Sequence, residues 1–143
     1  MSLPTLDEVQ AWLEAAPFHQ WLGLRVTELT TTDIIIEAEA KHSWLSDTDR
    51  GSVHGGILGA LLDTAADFSL IGTIGAPVPT VDLQVNYLRP AGVGLLTAKG
   101  HLVKPGSHNR SRWIQDPSAE WRYRIASLPA MNWEFRLPRT FGD

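Results

Sequence analysis

In GSVHGGILGALLDTAAD, residues 51–67, a histidine and two glycines stand directly ahead of a helix-like apolar run that then takes in two aspartates. On a helix, residues three or four apart share a face, so Gly56, Gly59 or Ala60, Asp63 and Asp67 line one stripe. Ile57, Leu58, Leu61, Leu62, Ala65 and Phe68 cover most of the rest. The stripe is narrow, small and acidic. Small residues admit a ligand or another backbone, and carboxylates at i and i+4 disfavour one another. Two readings stand for these aspartates. Either they are the wet side of a half-exposed helix, or Asp63, flanked by Leu61 and Leu62 and set between glycine and alanine, is a working acid.

At the other end, His54-Gly55-Gly56 stands at the helix start, where unpaired N–H groups and the dipole favour negative charge. Glycine lets a ligand oxygen reach those donors, which is the chemistry of an oxyanion hole. The alternative is a junction that needs glycine only for its dihedral angles. His54 is likewise either a hydrogen-bonded structural histidine or a proton shuttle. Gly55 and Asp63 are eight residues apart, hence about 12 Å along one helix. A donor and a base serving one carbonyl must converge within about 3 Å of the reacting atoms. One chain therefore cannot supply both to one site. Two such helices lying antiparallel in a two-fold dimer can, and the spacing predicts an obligate dimer with two equal sites.

The elements that must position these residues follow from periodicity. Thr5 with Glu8 three residues on is a capping-box pattern, and Leu6, Val9 and Leu13 continue at helical spacing until Pro17. Residues 22–29 and 34–40 alternate as two antiparallel strands joined by a short turn, and KHSWLSDTDRG reads as a loop. From Gly56 to about Leu70 the pattern is a mostly buried helix, ended by Gly72 and Gly75. VDLQVNY, residues 81–87, alternates most clearly of all. A further strand follows Gly94, with Gly100 as a candidate bulge. The order predicts an α+β fold: a mostly antiparallel sheet packed on one long helix, with a short helix at the N-terminus.

With 143 residues, 43% of them apolar, the chain can bury one sizeable core and is expected to be a single domain. No membrane span or secretory signal is expected, which predicts a cytoplasmic protein. The absence of cysteine excludes thiolate nucleophiles and thiolate zinc sites. The net charge of −4 gives no general attraction to nucleic acid or membrane. His42, His54, His101 and His108 show no paired metal-ligand spacing. Residues 107–143 differ in texture: they hold six of nine arginines and three of six tryptophans, with a net charge of +2 against −6 for residues 1–106. This tail is either a divergent pair of terminal strands or the product of a reading-frame change, which gives such a composition in GC-rich DNA.

From Phe18 to about Gly106 the chain resembles the hotdog-fold acyl-CoA thioesterases of the phenylacetate-degradation (PaaI) type. The likeness is carried by FHQWLGLRV, GSVHGGILGALLDTAAD and PTVDLQVNYLRPA. It implies a sheet wrapped around a central helix, a homodimer or dimer of dimers, and hydrolysis of a small or medium acyl-CoA thioester with neither metal nor cofactor. Gly55 would then polarise the thioester carbonyl, and Asp63 of the partner subunit would act as general base or nucleophile. Thr80 matches the hydroxyl residue that helps place the water. Where many members carry asparagine six residues before the histidine, this chain has Thr48. Gly56 and Asp67 join the expected substrate-binding residues, and Arg89, Lys99 and Lys104 are candidates for the coenzyme A phosphates. Phe18, Trp21, Trp44 and Phe68 are either core or acyl-pocket lining. The competing function is a non-catalytic acyl-CoA sensor, and a hydratase of the same fold fits HGG with Asp63 less well.

Overall fold

The capping box forms as its residues require: Thr5 accepts from the Glu8 amide and Glu8 reaches back to the Thr5 amide at 2.8 Å, opening α1 (Leu6–Glu14). Val9 and Leu13 on its inner face are fully buried. Pro17 does more than stop this helix. It occupies the first position of a second one, α2 (Pro17–Leu22), where its missing N–H costs nothing.

The computed structural model describes residues 2–75, 80, 83–104, 120–127 and 131–136. Strands β1 (Arg25–Leu29) and β2 (Asp33–Ala40) pair antiparallel, with one irregularity between Val26 and Glu28. Ile34, Ile36, Ala38 and Ala40 are buried, whereas Ile35, Glu37 and Glu39 face outward, matching the alternation. Outside, Arg25 meets Glu37 at 2.6 Å, a contact worth at most about 1 kcal/mol with so exposed an arginine. The stretch expected to be loop contains a 3-10 turn (His42–Trp44) and a small hairpin, β3 (Leu45–Asp47) with β4 (Ser52–Val53).

The long helix is α3 (Gly55–Ser69), continued after Leu70 by a single turn, α4 (Ile71–Ile74). Gly72 does not end it. Gly72 lies so close to the β1–β2 turn that a Cβ there would sit 2.1 Å from the Thr30 carbonyl oxygen. Within residues 55–74 an 18-residue window reaches a mean hydropathy of 1.5, enough by length and composition for a membrane span, and two thirds of that window is buried within the fold. Their apolar surface is spent on the sheet: α3 packs on β2, on β5 (Gly94–Lys104) and on β6 (Glu120–Ser127). With β7 (Met131–Arg136), the sheet runs β1-β2-β5-β6-β7, all neighbours antiparallel. This is the expected α+β architecture.

Two strand expectations are corrected. Gly100 is no bulge: it pairs in register with Ile34 and Tyr123, and the only irregularity in β5 falls between Leu102 and Lys104. Its lack of a side chain serves close packing, because a Cβ would lie 2.1 Å from the Ala65 carbonyl oxygen of α3. Of VDLQVNY, residues 83–87 form no ladder with any described strand, although Leu83 and Val85 are half-buried and Gln84 and Asn86 exposed. Val81 and Asp82 lie outside the described residues. In the tail, EWRYRIAS forms β6, whereas SRWIQ lies outside the described residues.

Candidate active site

The start of α3 is held from three directions. The Val53 amide donates to Ala91 O at 2.7 Å, and the His54 amide to Trp44 O at 2.8 Å. His54 is the N-cap: its Nδ1 accepts the Gly56 amide at 2.9 Å, while its carbonyl accepts from Ile57 and Leu58. Nδ1 therefore serves as an acceptor and is not free to shuttle a proton. His54 takes the structural reading at that nitrogen, and its ring is exposed. The Gly56 amide is engaged by this bond. The Gly55 amide, by contrast, has no acceptor among the described residues. It is the open donor of the first turn, at the positive end of the helix.

The small-residue stripe holds Gly59 and Asp63 as expected, with Gly55 rather than Gly56 at its start. Tyr87 lies on it: a Cβ on Gly55 would sit 3.3 Å from Tyr87 Cζ, and one on Gly59 would sit 3.4 Å from the hydroxyl. The Tyr87 hydroxyl donates to Gly55 O at 2.7 Å. At the far end the Thr80 hydroxyl donates to the Asp63 carboxylate. Asp63 and Asp67 are half-buried, while Leu61, Leu62, Thr64 and Ala65 around Asp63 are buried. Thr80, Asp63, Gly55 and Tyr87 thus share one face of α3. Tyr87 was missed as a site residue because its alternation grouped it with Val81, Leu83 and Val85. The usable signal was a phenol hydroxyl ahead of Arg89-Pro90, paired with a helix start made of glycines.

Other candidates fall elsewhere. Thr48 sits exposed in the β3–β4 turn, without a hydrogen bond to Gly55 or Asp63 among the described residues. Arg89 is exposed just beyond Tyr87. Leu96, Ala98, Gly100 and Leu102 of β5 are buried toward α3, so Lys99 belongs to the opposite face, where it meets Asp33 at 3.5 Å. The Lys104 side chain lies outside the described residues. Trp44 and Phe68 are buried in the core. Phe18 and Trp21 are about half exposed and stacked, 6.1 Å between ring centroids, and Trp21 lies 6.0 Å from Trp44. The buried Trp44 Nε1 has no partner among the described residues. No group of three potential metal ligands occurs among them either.

Chemically, this face offers a backbone donor for an oxyanion and, about 12 Å along the helix, a carboxylate steadied by a hydroxyl. Comparison with known proteins supplies the context. The family model described as the thioesterase superfamily matches residues 50–109, which span α3, Thr80, Tyr87 and β5. A Halobacterium salinarum protein named "Putative esterase" is 44% identical over 105 residues, 69% of this chain and 68% of that one. Human acyl-coenzyme A thioesterase 13 is 29% identical over 104 residues, 70% of this chain and 72% of its own. Among solved structures, the E. coli PaaI protein from the phenylacetic acid degradation operon superposes with a TM-score of 0.69 at 20% identity, covering 91% of this chain and 92% of PaaI.

Proposed function

Because this chain belongs to the thioesterase superfamily, we propose that it hydrolyses small or medium acyl-CoA thioesters to a free acid and coenzyme A. In this reading it acts as a cytoplasmic homodimer or dimer of dimers, without metal or cofactor. The supporting observation is the single face that carries an uncommitted Gly55 amide at one end and a Thr80-held Asp63 at the other. Their separation requires Gly55 of one protomer and Asp63 of the partner subunit to flank each thioester.

Asp63 takes a proton from water as the water oxygen bonds to the thioester carbon, and the Gly55 amide stabilises the oxyanion that forms. Collapse restores the carbonyl and breaks the C–S bond, and the proton held by Asp63 passes to the departing thiolate. If Asp63 attacks the carbonyl carbon first instead, collapse of that adduct breaks the C–S bond, expels the thiolate and leaves an acyl–Asp63 anhydride that water then opens. Arg89, exposed just beyond Tyr87, is kept as a candidate for the coenzyme A phosphates, together with Lys104. The test is thiol release across an acyl-CoA panel. Wild type turns over at least one ester, and Asp63→Ala binds it with most of kcat lost. Equal turnover in that variant removes Asp63 from the mechanism.

The second reading, an acyl-CoA sensor, is favoured by Thr48, which stands exposed where the resembling enzymes carry asparagine. Tight binding of coenzyme A esters with no thiol released by wild type supports that reading against hydrolysis.

A further inference from the structure

We propose that Tyr87 is a positioning residue for the oxyanion donor, acting through one clamped peptide unit. The inference rests on the hydrolytic reading above. The peptide joining Gly55 to Gly56 is gripped at both ends: its carbonyl oxygen accepts from the Tyr87 hydroxyl at 2.7 Å, and its N–H donates to His54 Nδ1 at 2.9 Å. The next peptide back, which carries the Gly55 amide, has its carbonyl fixed by the Ile57 and Leu58 amides at 3.0 and 3.3 Å. The residue before the donor is anchored in turn by the bond from the His54 amide to Trp44 O, 2.8 Å. The Gly55 amide is left as the one open donor between fixed neighbours.

This arrangement answers a physical problem. The first N–H groups of a helix have no intrahelical acceptor, and the turn that carries them frays. Two successive glycines, with no Cβ to restrict them, loosen it further. An oxyanion donor must nevertheless be aimed before charge develops, because reorientation during the reaction forfeits its advantage. The Tyr87 ring also lies across Gly55 and Gly59, filling the space that side chains there would occupy. The hydroxyl and the ring are separable contributions, and the proposal concerns the hydroxyl.

The test is Tyr87→Phe, which keeps the ring and deletes one hydrogen bond. Expected are a fall in kcat of about tenfold, smaller than the 100-fold or more that follows loss of an oxyanion donor itself, and a KM within about twofold. Amide hydrogen exchange at Gly56 should quicken several-fold, because its peptide has lost one of two grips. His54→Ala should mimic these changes, and His54→Asn, which restores a side-chain acceptor at the N-cap, should recover part of kcat. Unchanged kcat and unchanged Gly56 exchange in Tyr87→Phe overturn the proposal while loss of activity in Asp63→Ala leaves hydrolysis standing. A kcat loss matched by a rise in KM and a lowered melting temperature overturns it in favour of simple packing. If wild type releases no thiol from any ester, the hydrolytic reading fails, and Gly56 exchange alone then decides whether the clamp exists.

Discussion

Two regions of this molecule gather the same kinds of side chain, and only one of them is open. On the outer face of the sheet, Asp33 receives the Thr32 hydroxyl at 2.7 Å, His101 Nδ1 at 2.9 Å and Lys99 Nζ at 3.5 Å, while its own amide is held by Thr30 Oγ1 at 2.9 Å. Taken alone, a histidine 2.9 Å from an aspartate looks like half of a catalytic dyad. Yet the Asp33 carboxylate there is already met by a hydroxyl, an imidazole and an ammonium group, all from described residues. On α3, Asp63 has one described partner, the Thr80 hydroxyl, and the Gly55 amide has none among the described residues. Chemistry needs unspent donors and acceptors, so the geometry to look for is the incomplete one.

The sharpest way to break this comparison is a matched pair of amides. Asp63→Asn removes the base and should lower kcat by about 100- to 10,000-fold, the range for loss of general-base catalysis. Asp33→Asn should leave kcat within about twofold. Steady-state thiol release on both variants checks this, and comparable losses would erase the distinction between open and closed regions.

Strand β5 joins the two regions through one residue. Gly100 lies between Lys99 and His101 of the closed cluster, and its inner side abuts the Ala65 carbonyl of α3, two residues from Asp63. Gly100→Ala places a Cβ 2.1 Å from that oxygen, and backbone cannot yield as a flexible side chain does. The helix must shift, with a cost of about 1–3 kcal/mol typical of overpacking and a melting temperature lower by several degrees. Because α3 carries the site, kcat should fall as well, while the outer cluster keeps its pairs. Thermal melts with activity assays check both halves.

Thr80→Val and Thr32→Val give a smaller contrast of the same kind. Each deletes a hydroxyl that donates to an aspartate. The first frees Asp63 to wander and should lower kcat by about tenfold, the scale of one lost hydrogen bond to a charged group. The second should leave kcat unchanged.

The same contrast explains what was legible in the sequence. Periodicity and caps act over three or four residues, so α1, the β1–β2 pair, α3 and β5 could be read directly. Gly55 and Asp63 could be singled out because a glycine-rich helix start and an acid in an apolar run are local anomalies, whereas Thr80 was named only through the family resemblance. The ion pair of Lys99 could not be read because the carboxylate that it meets, Asp33, is 66 residues away in the chain. The Tyr87 bond spans 32 residues and was invisible for the same reason. Alternation in residues 83–87 specifies an extended segment with two faces but not a ladder partner. In the tail, register sets Trp121, Tyr123 and Ile125 of β6 opposite Leu102, Gly100 and Ala98, an order carried by the neighbouring strand as much as by β6.

The smallest expected effect tests whether the closed cluster is purely structural. Partial burial pushes the Asp33 carboxyl up, but the Thr32 hydroxyl, the hydrogen bond and charge of His101, and Lys99 together hold it below the usual carboxylate range. A carboxyl more acidic in the folded than in the unfolded chain stabilises the fold fully above its unfolded value, near pH 4. That stabilisation drains away as pH falls through the lower folded value. Lys99 and His101 are each about half exposed, so water and salt weaken the cluster. Wild type should therefore melt only about 1–2 °C above Asp33→Asn at neutral pH, with the gap closing below about pH 4 and shrinking in high salt. Throughout, the kcat of the two proteins should track together. A gap that widens on acidification reverses the sign of this argument, and a pH-dependent divergence in kcat would mean that Asp33 communicates with α3 through β5.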